Sequence, residues 1–515
     1  MPAPTTKQLR LFNIDRFSDS DAIASNNGKW SINQFSAEGL CPEAERQSLE
    51  RKFLPLTQIT SDFNRQSVSY QMSKKDCLHR WLKYKEGFSA DLVEQLLDEM
   101  GIKQGDTILD PFLGSGTTSL VAQMRGINSI GFDIMPMLNI AIKAKANVAN
   151  YDLRELSSFL HYIISIKRPS GYNKRVNSVY VTKNAYAIET EMDIAFFTDA
   201  INDSHFSEHA KTLGILCVLN SLEHVSFTAK DGQYLRWDER STKIIEANIT
   251  RQAAGRPPFK IILNKGELPQ LKDAIIEQLK QAIDDVHYLQ NNSSPLLSKA
   301  KISFTQGSSL LELPRLDNNT IHGVITSPPY CNRYDYTRIY ALELAYLGVG
   351  EIEIRKIRQD LLSCTVESKP KIEFLSEYYR SIGKQYDYDE IMSIINSNEV
   401  LNEVLYALTK RNERGDINNK GVLPMVKGYF EELTFIFYEL FRICRKGAQV
   451  AFVNDNVRYA GEVIPVDFLS TAIAERIGFR PIKIYTLKQQ KGNSSQQMAK
   501  FGRVPLRKSI TIWEK

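Results

Sequence analysis

No stretch of the sequence approaches the roughly 18 consecutive apolar residues of a membrane-spanning helix, so none is expected. The opening MPAPTTKQLRLFNID lacks the apolar core of a signal peptide, and no leader is expected. Cysteine is scarce: Cys41, Cys77, Cys217, Cys331, Cys364 and Cys444 lie far apart among 515 residues, with no C-x-x-C pair. That disfavours a disulfide scaffold and a zinc ribbon, and it fits a reducing cytoplasm. The seven histidines form no H-E-x-x-H, so no metal site is expected. With 19 prolines and 27 glycines the chain is neither collagenous nor low in complexity. At 43% hydrophobic and 24% charged residues, it reads as a soluble globular protein. Its length suits about three domains of ordinary size, or one large domain carrying insertions.

An excess of one charge is also missing overall, with 65 Lys/Arg against 60 Asp/Glu, but the distribution is uneven. Gly478 to Lys515 holds nine Lys/Arg and a single acid, Glu514. Thr228 to Lys272 holds nine Lys/Arg and five acids, with Tyr234, Trp237 and Phe259 interleaved. Clustered cations among aromatics suit a polyanion such as nucleic acid, and a solvated face is the equal alternative on charge alone.

GDTILD (Gly105–Asp110) reads as a short buried strand, PFLGSGTT as a turn and SLVAQMRG as a helix. NSIGFD (Asn128–Asp133) is a second strand, so the segment opens a parallel βαβ unit. Ahead of it FSADLVEQLLDEM has helical periodicity, with Ser89 as its N-cap. Alternation breaks between 151 and 300, returns with KISFTQG and HGVITSPPY, and breaks again over 347–420. The predicted fold class is α/β: a seven-stranded Rossmann-like sheet with two large insertions. Its strands begin near Thr107, Asn128, Lys301, Gly323, Gln449, Pro481 and Arg507. The catalytic domain would comprise 76–150, 301–346 and 421–515. Residues 1–75 form an N-terminal extension, 151–300 a recognition insertion and 347–420 a helical insertion.

Two segments carry chemistry. In DPFLGSGTT (Asp110–Thr118), Gly114 and Gly116 let a ligand approach the backbone, and the following helix N-terminus offers N–H groups to a carboxylate or phosphate. The lysine of a P-loop is absent, and Ser119 spoils a G-x-G-x-x-G match. Asp133, 23 residues beyond Asp110, is placed to accept hydrogen bonds from ribose hydroxyls. The pattern points to a nucleoside cofactor bearing a carboxylate. The second segment is Ser327-Pro328-Pro329-Tyr330 at the end of a strand. The Ser327 hydroxyl and a proline carbonyl can accept both hydrogens of a planar exocyclic amine, and Tyr330 can stack on an extruded base. Either segment alone could be an ordinary turn.

Together, DPFLGSGTT and SPPY resemble the S-adenosylmethionine-dependent DNA methyltransferases that modify exocyclic amines, and SPPY resembles their cytosine-N4 branch. LHRWLKYKEGFSADLV resembles the segment before the glycine loop. The resemblance implies that Lys85, Gly87 and Phe88 line the methionine end of the cofactor. It places Asp110, Pro111, Phe112, Gly114, Gly116, Thr117 and Thr118 around the cofactor loop, and GFDIMP puts Ile134 against the adenine beside Asp133. VPLRKSITIWEK resembles the closing strand.

Two features depart from the pattern. Ser308 and Ser309 stand where the family usually has an acid on the adenine amine, leaving Ser308 as the candidate contact. The cofactor loop also precedes SPPY, the reverse of the order in many SPPY enzymes. Cys331 follows a tyrosine rather than a proline and reads as a packing residue, not a covalent nucleophile. Glu367-Ser368-Lys369 lacks a paired acid and reads as a chance nuclease-like tripeptide. His79 reads as a core or surface histidine.

The resemblance implies methyl transfer to cytosine N4 in duplex DNA, with a separately encoded restriction endonuclease as companion. Adenine N6 in DNA, or RNA, on the same fold is the alternative. A non-catalytic cofactor-binding recognition subunit is the alternative of another class. Arg236, Arg240, Arg251 and Arg256 are expected to read bases, and Lys488, Lys491 and Lys500 to contact phosphates.

Overall fold

The computed structural model describes residues 31–60, 63, 68–69, 72–231, 234–259, 263–292, 297, 299–487, 498–502, 504 and 506–515. Eight strands form the central sheet: β1 (Thr57–Ile59), β2 (Thr107–Asp110), β3 (Asn128–Asp133), β4 (Ile302–Gln306), β5 (Ile321–Thr326), β6 (Cys444–Asp455), β7 (Arg480–Leu487) and β8 (Lys508–Glu514). Their spatial order is β1-β7-β8-β6-β5-β2-β3-β4. β8 is antiparallel to both neighbours, and the other pairings are parallel.

Seven of these are the strands expected, within three residues at their starts except β6, which begins at Cys444, five before Gln449. The eighth, β1, comes from the segment read as an N-terminal extension, and it pairs with β7 through Thr57↔Ile484 and Ile59↔Thr486. Three residues give no periodicity, so this strand left no trace in the sequence.

The alternation of side chains along each strand divides the core. Leu109, Val324, Val450 and Phe452 face one way, onto the 22-residue helix Val422–Ile443. Ile108, Ile325, Ala451 and Val453 face the other way, onto helix Ala90–Glu99. Both faces are covered, as a mostly parallel sheet requires. Ser89 caps Ala90–Glu99 by accepting from Leu92 N.

Residues 153–292 add the helices Leu153–Ser165, Ile188–Asn202, Glu208–Val225, Thr242–Ala253 and Leu271–Asn292, plus the hairpin Thr228–Asp231/Tyr234–Trp237. All of these helices except Thr242–Ala253, which buries no residue, share one core with Met137, Leu138 and Ala141 of helix Pro136–Ala146. Residues 351–413 form four helices: Ile372–Ser381, Gln385–Asn396 and Glu399–Glu413 pack beside Val422–Ile443, and Glu351–Asp360 joins the core of residues 153–292. The segment before β1 is bound by buried ion pairs. Arg46 meets Glu403 at 2.8 Å and Glu462 at 3.1 Å, and Glu50 meets Arg507 at 2.5 Å. All six cysteines are free thiols. Among the described residues, no helix is long and apolar enough to cross a membrane.

Candidate active site

The cleft lies at the carboxyl ends of β2, β3, β4 and β5, where open α/β sheets place their ligands. Asp110 ends β2 and is buried. Its Oδ1 accepts from the Thr326 hydroxyl at 2.7 Å and from Phe112 N at 3.1 Å, and its Oδ2 accepts from the Thr118 hydroxyl at 2.8 Å. The carboxylate thus ties the glycine loop to the end of β5. Burial pushes its pKa up to about 6, against the pull of these donors.

Gly114 has φ 55°, and a Cβ there would lie 3.0 Å from the Tyr84 ring. The backbone passes so close to Tyr84 that only glycine fits without displacing the ring. Gly116, at φ 93°, turns the chain into helix Thr117–Met124.

Asp133 ends β3. Its Oδ2 accepts from Gly114 N at 3.0 Å and its Oδ1 from Met135 N at 2.9 Å. Each oxygen keeps a lone pair for a ligand hydroxyl. Burial pushes this carboxyl, too, up to about 6. After β4, the Ser308 hydroxyl donates to the Asp360 carbonyl at 3.1 Å, and the Ser309 hydroxyl donates to the Pro111 carbonyl. After β5, the Ser327 hydroxyl donates to Tyr330 Oη at 3.1 Å.

The cleft is lined from all four of these strand ends. It brings together Gly87, Phe88, Asp110, Pro111, Phe112, Gly114, Thr117, Asp133, Ile134, Ser308, Ser327 and Pro329 from the expected set. Five expected residues are not in its lining. Lys85 is one: its ammonium donates to the Lys230 carbonyl, and its neighbour Glu86 lines the cleft instead. Thr118 supports Asp110, and Gly116 serves as the helix N-cap. Pro328 lies between two lining residues, and Tyr330 carries the Lys508 ammonium 5.1 Å from its ring centre.

Sequence reading missed Tyr84, Glu86, Tyr336, Leu361, Leu362 and Ile436 in the lining. The last three come from the helical insertion and from Val422–Ile443, so no local motif could announce them. Cys331 is fully buried, and burial raises its thiol well above the ordinary value, as befits packing. His79 is likewise a core residue, its pKa pushed down by burial to about 3. Glu367 is neutralised by Arg338 and by Arg358 at 2.7 Å.

The expected DNA contacts fare differently. Arg240 is clamped by Asp238, with Nε–Oδ1 at 2.7 Å and Nη2–Oδ2 at 2.9 Å, so its fork is occupied rather than presented to a base. Arg251 donates to the Pro257 carbonyl at 2.8 Å and stacks on Phe259 at 4.6 Å. Arg256 is exposed, and Arg236 is half-buried. Lys500 pairs with Asp416 at 2.6 Å, which removes it from the expected row of open phosphate contacts. Lys488 and Lys491 lie outside the described residues.

Comparison with known proteins gives the family. The DNA methylase family profile matches residues 15–143, which include the glycine loop and Asp133. The type II methyltransferase M.BsoBI of Geobacillus stearothermophilus is 54% identical over 493 residues, covering 96% of both chains. The chain belongs to the type II DNA methyltransferases. M.AvaI of Nostoc sp. is 38% identical over 476 residues, covering 91% of this chain and 93% of its own. M.MjaII of Methanocaldococcus jannaschii is 24% identical over 340 residues, covering 53% and 63%.

As a DNA methyltransferase the protein implies S-adenosylmethionine as methyl donor, and the cleft fits that molecule. Asp133 can take ribose hydroxyls, Ile134 and Phe112 offer apolar faces, and Thr117 opens a helix N-terminus suited to a carboxylate.

Proposed function

We propose that this methyltransferase acts on the N4 amine of cytosine in duplex DNA, as the modifying partner of a restriction endonuclease. The observation that carries this reading is the entry of Ser327 and Pro329 into the same cleft as Asp133 and the glycine loop. S-adenosylmethionine supplies an electrophilic methyl group whose bond pair returns to sulfur. The protein's work is alignment. Ser327 gives its proton to Tyr330, so its lone pairs face outward as acceptors for an amine hydrogen. The Pro328 carbonyl takes the second hydrogen, leaving the nitrogen lone pair to point at the methyl carbon. Cys331 takes no part, because a deeply buried thiol cannot attack.

Residues 151–300 serve recognition in this reading. Helix Thr242–Ala253 buries none of its residues, and Ile245 and Ile249 are 48% and 59% exposed on one face. The hairpin leading into it packs on the short helix Tyr336–Ile339 just past SPPY, so it flanks the substrate side. Isoleucines can meet thymine methyl groups, while Arg251 and Arg256 reach phosphates or guanine edges.

The deciding experiment is transfer of tritiated methyl to unmethylated DNA followed by hydrolysis and identification of the base. N4-methylcytosine is expected. N6-methyladenine overturns the base assignment but not the fold or the cofactor. Absence of transfer from an enzyme that binds the donor makes it a recognition subunit.

A further inference from the structure

The roles above leave Glu86 without a task. It lines the cleft beside Tyr84, Gly87 and Phe88, just before helix Ala90–Glu99. Tyr334 Oη donates to its Oε1 at 2.5 Å, and Tyr340 Oη donates to its Oε2. Tyr84 stacks on Tyr340 with ring centres 5.3 Å apart, so the carboxylate is fixed in position by aromatic packing.

The cations near Glu86 are held by other groups. The Lys230 ammonium is paired with Glu343 and sits 4.4 Å above the Tyr340 ring, and Lys85 is bound to the Lys230 carbonyl. Burial pushes the Glu86 carboxyl up, opposed by the two phenols and then by Lys230 and Lys85. Two neutral donors orient a carboxylate but leave its charge and half its lone pairs unsatisfied.

Three carboxylates line the cleft, Glu86, Asp110 and Asp133, and no lysine or arginine does among the described residues. Asp110 is consumed by three internal donors, and Asp133 holds backbone N–H groups beside the expected ribose. An acidic cleft without a cation of its own selects a ligand that brings one. The methyl donor brings two, a sulfonium and an α-ammonium, and only the ammonium can donate hydrogen bonds to a carboxylate.

We propose that Glu86 binds the α-ammonium of the methyl donor, with Tyr334 and Tyr340 aiming its carboxylate. This rests on the reading of the cleft as the cofactor site. The α-ammonium is present in the donor and in its demethylated product, S-adenosylhomocysteine, and absent from adenosine.

Calorimetry on the full chain with these three ligands tests the assignment. Glu86→Gln should weaken donor and product alike by about tenfold or more, the scale of a lost charge-assisted hydrogen bond, and leave adenosine within about twofold. Glu86→Asp keeps the charge and should lose less than Glu86→Gln. Unchanged donor affinity overturns the proposal. So does equal weakening of adenosine, which would make Glu86 a support of the turn, and so does a loss confined to the donor, which would assign it to the sulfonium. Equal losses in Glu86→Gln and Glu86→Asp overturn it as well. A wild-type chain that binds none of the three ligands breaks the cofactor-site reading itself, a result distinct from all of these.

Discussion

At the carboxyl ends of β2, β3 and β4, Asp110, Thr118, Asp133 and Ser309 are committed to the protein's own strands and loop. Between residues 228 and 272, Arg240 is committed to Asp238 and Arg251 to Phe259 and the Pro257 carbonyl, neighbours within the same segment. The first region is a rigid mould whose hydrogen bonds are made before any ligand arrives, which is how a cleft avoids reorganisation cost. The second presents a helix with nothing buried and cations partly satisfied by neighbours. Counting charges along the sequence therefore overstates what the second region can offer DNA, while counting motif residues understates how much of the first is scaffolding.

The largest expected effect tests the mould. Ser327→Ala should lower methyl transfer by about a hundredfold or more, as loss of a positioning group in the reacting geometry does, with donor affinity within a few-fold. Steady-state kinetics and calorimetry together check it, and a matching fall in donor affinity would move Ser327 to the cofactor side. Next is the scaffold joining the mould to the rest of the molecule. Arg46→Met leaves Glu403 buried without its arginine and takes from Glu462 one of its two, Arg411 remaining, and should cost about 3–5 kcal/mol in urea unfolding. A loss below about 1 kcal/mol would show that water reaches these carboxylates.

Asp133 sharpens the contrast through pH. Its carboxyl sits near 6 in the fold against an ordinary value of 3.8, so the folded state holds its proton longer than the unfolded chain. Its contribution to ligand-free stability is full below about 4 and is lost as pH rises through about 6. Donor affinity should run the opposite way, rising as Asp133 ionises and can accept the ribose hydroxyls. Asp133→Asn should weaken the donor and flatten that profile; an unaltered profile would assign the titration to Glu86 or Asp110.

The smallest effects belong to the basic surface. Lys500→Ala should change the salt dependence of DNA binding by less than the ~0.9 slope of one full phosphate contact, because Asp416 already holds the ammonium. Ile249→Ser and Arg256→Ala should instead change which sequences are methylated, read by sequencing modified DNA. If they lower affinity uniformly, helix Thr242–Ala253 grips the backbone without reading bases.

The sequence by itself determined the seven principal strands and the glycine loop. It also placed Asp110, Asp133 and SPPY at strand ends. Buried strands impose apolar runs, tight turns impose glycine, and both signals are local. Tertiary structure alone decided that β1 joins the sheet, that Leu361, Leu362 and Ile436 help to form the cleft, and that Glu86 rather than Lys85 lines it. It also decided that Lys500 is held by Asp416, 84 residues away in the chain. Pairings of that kind depend on where distant segments meet in space, and no window of sequence contains both partners.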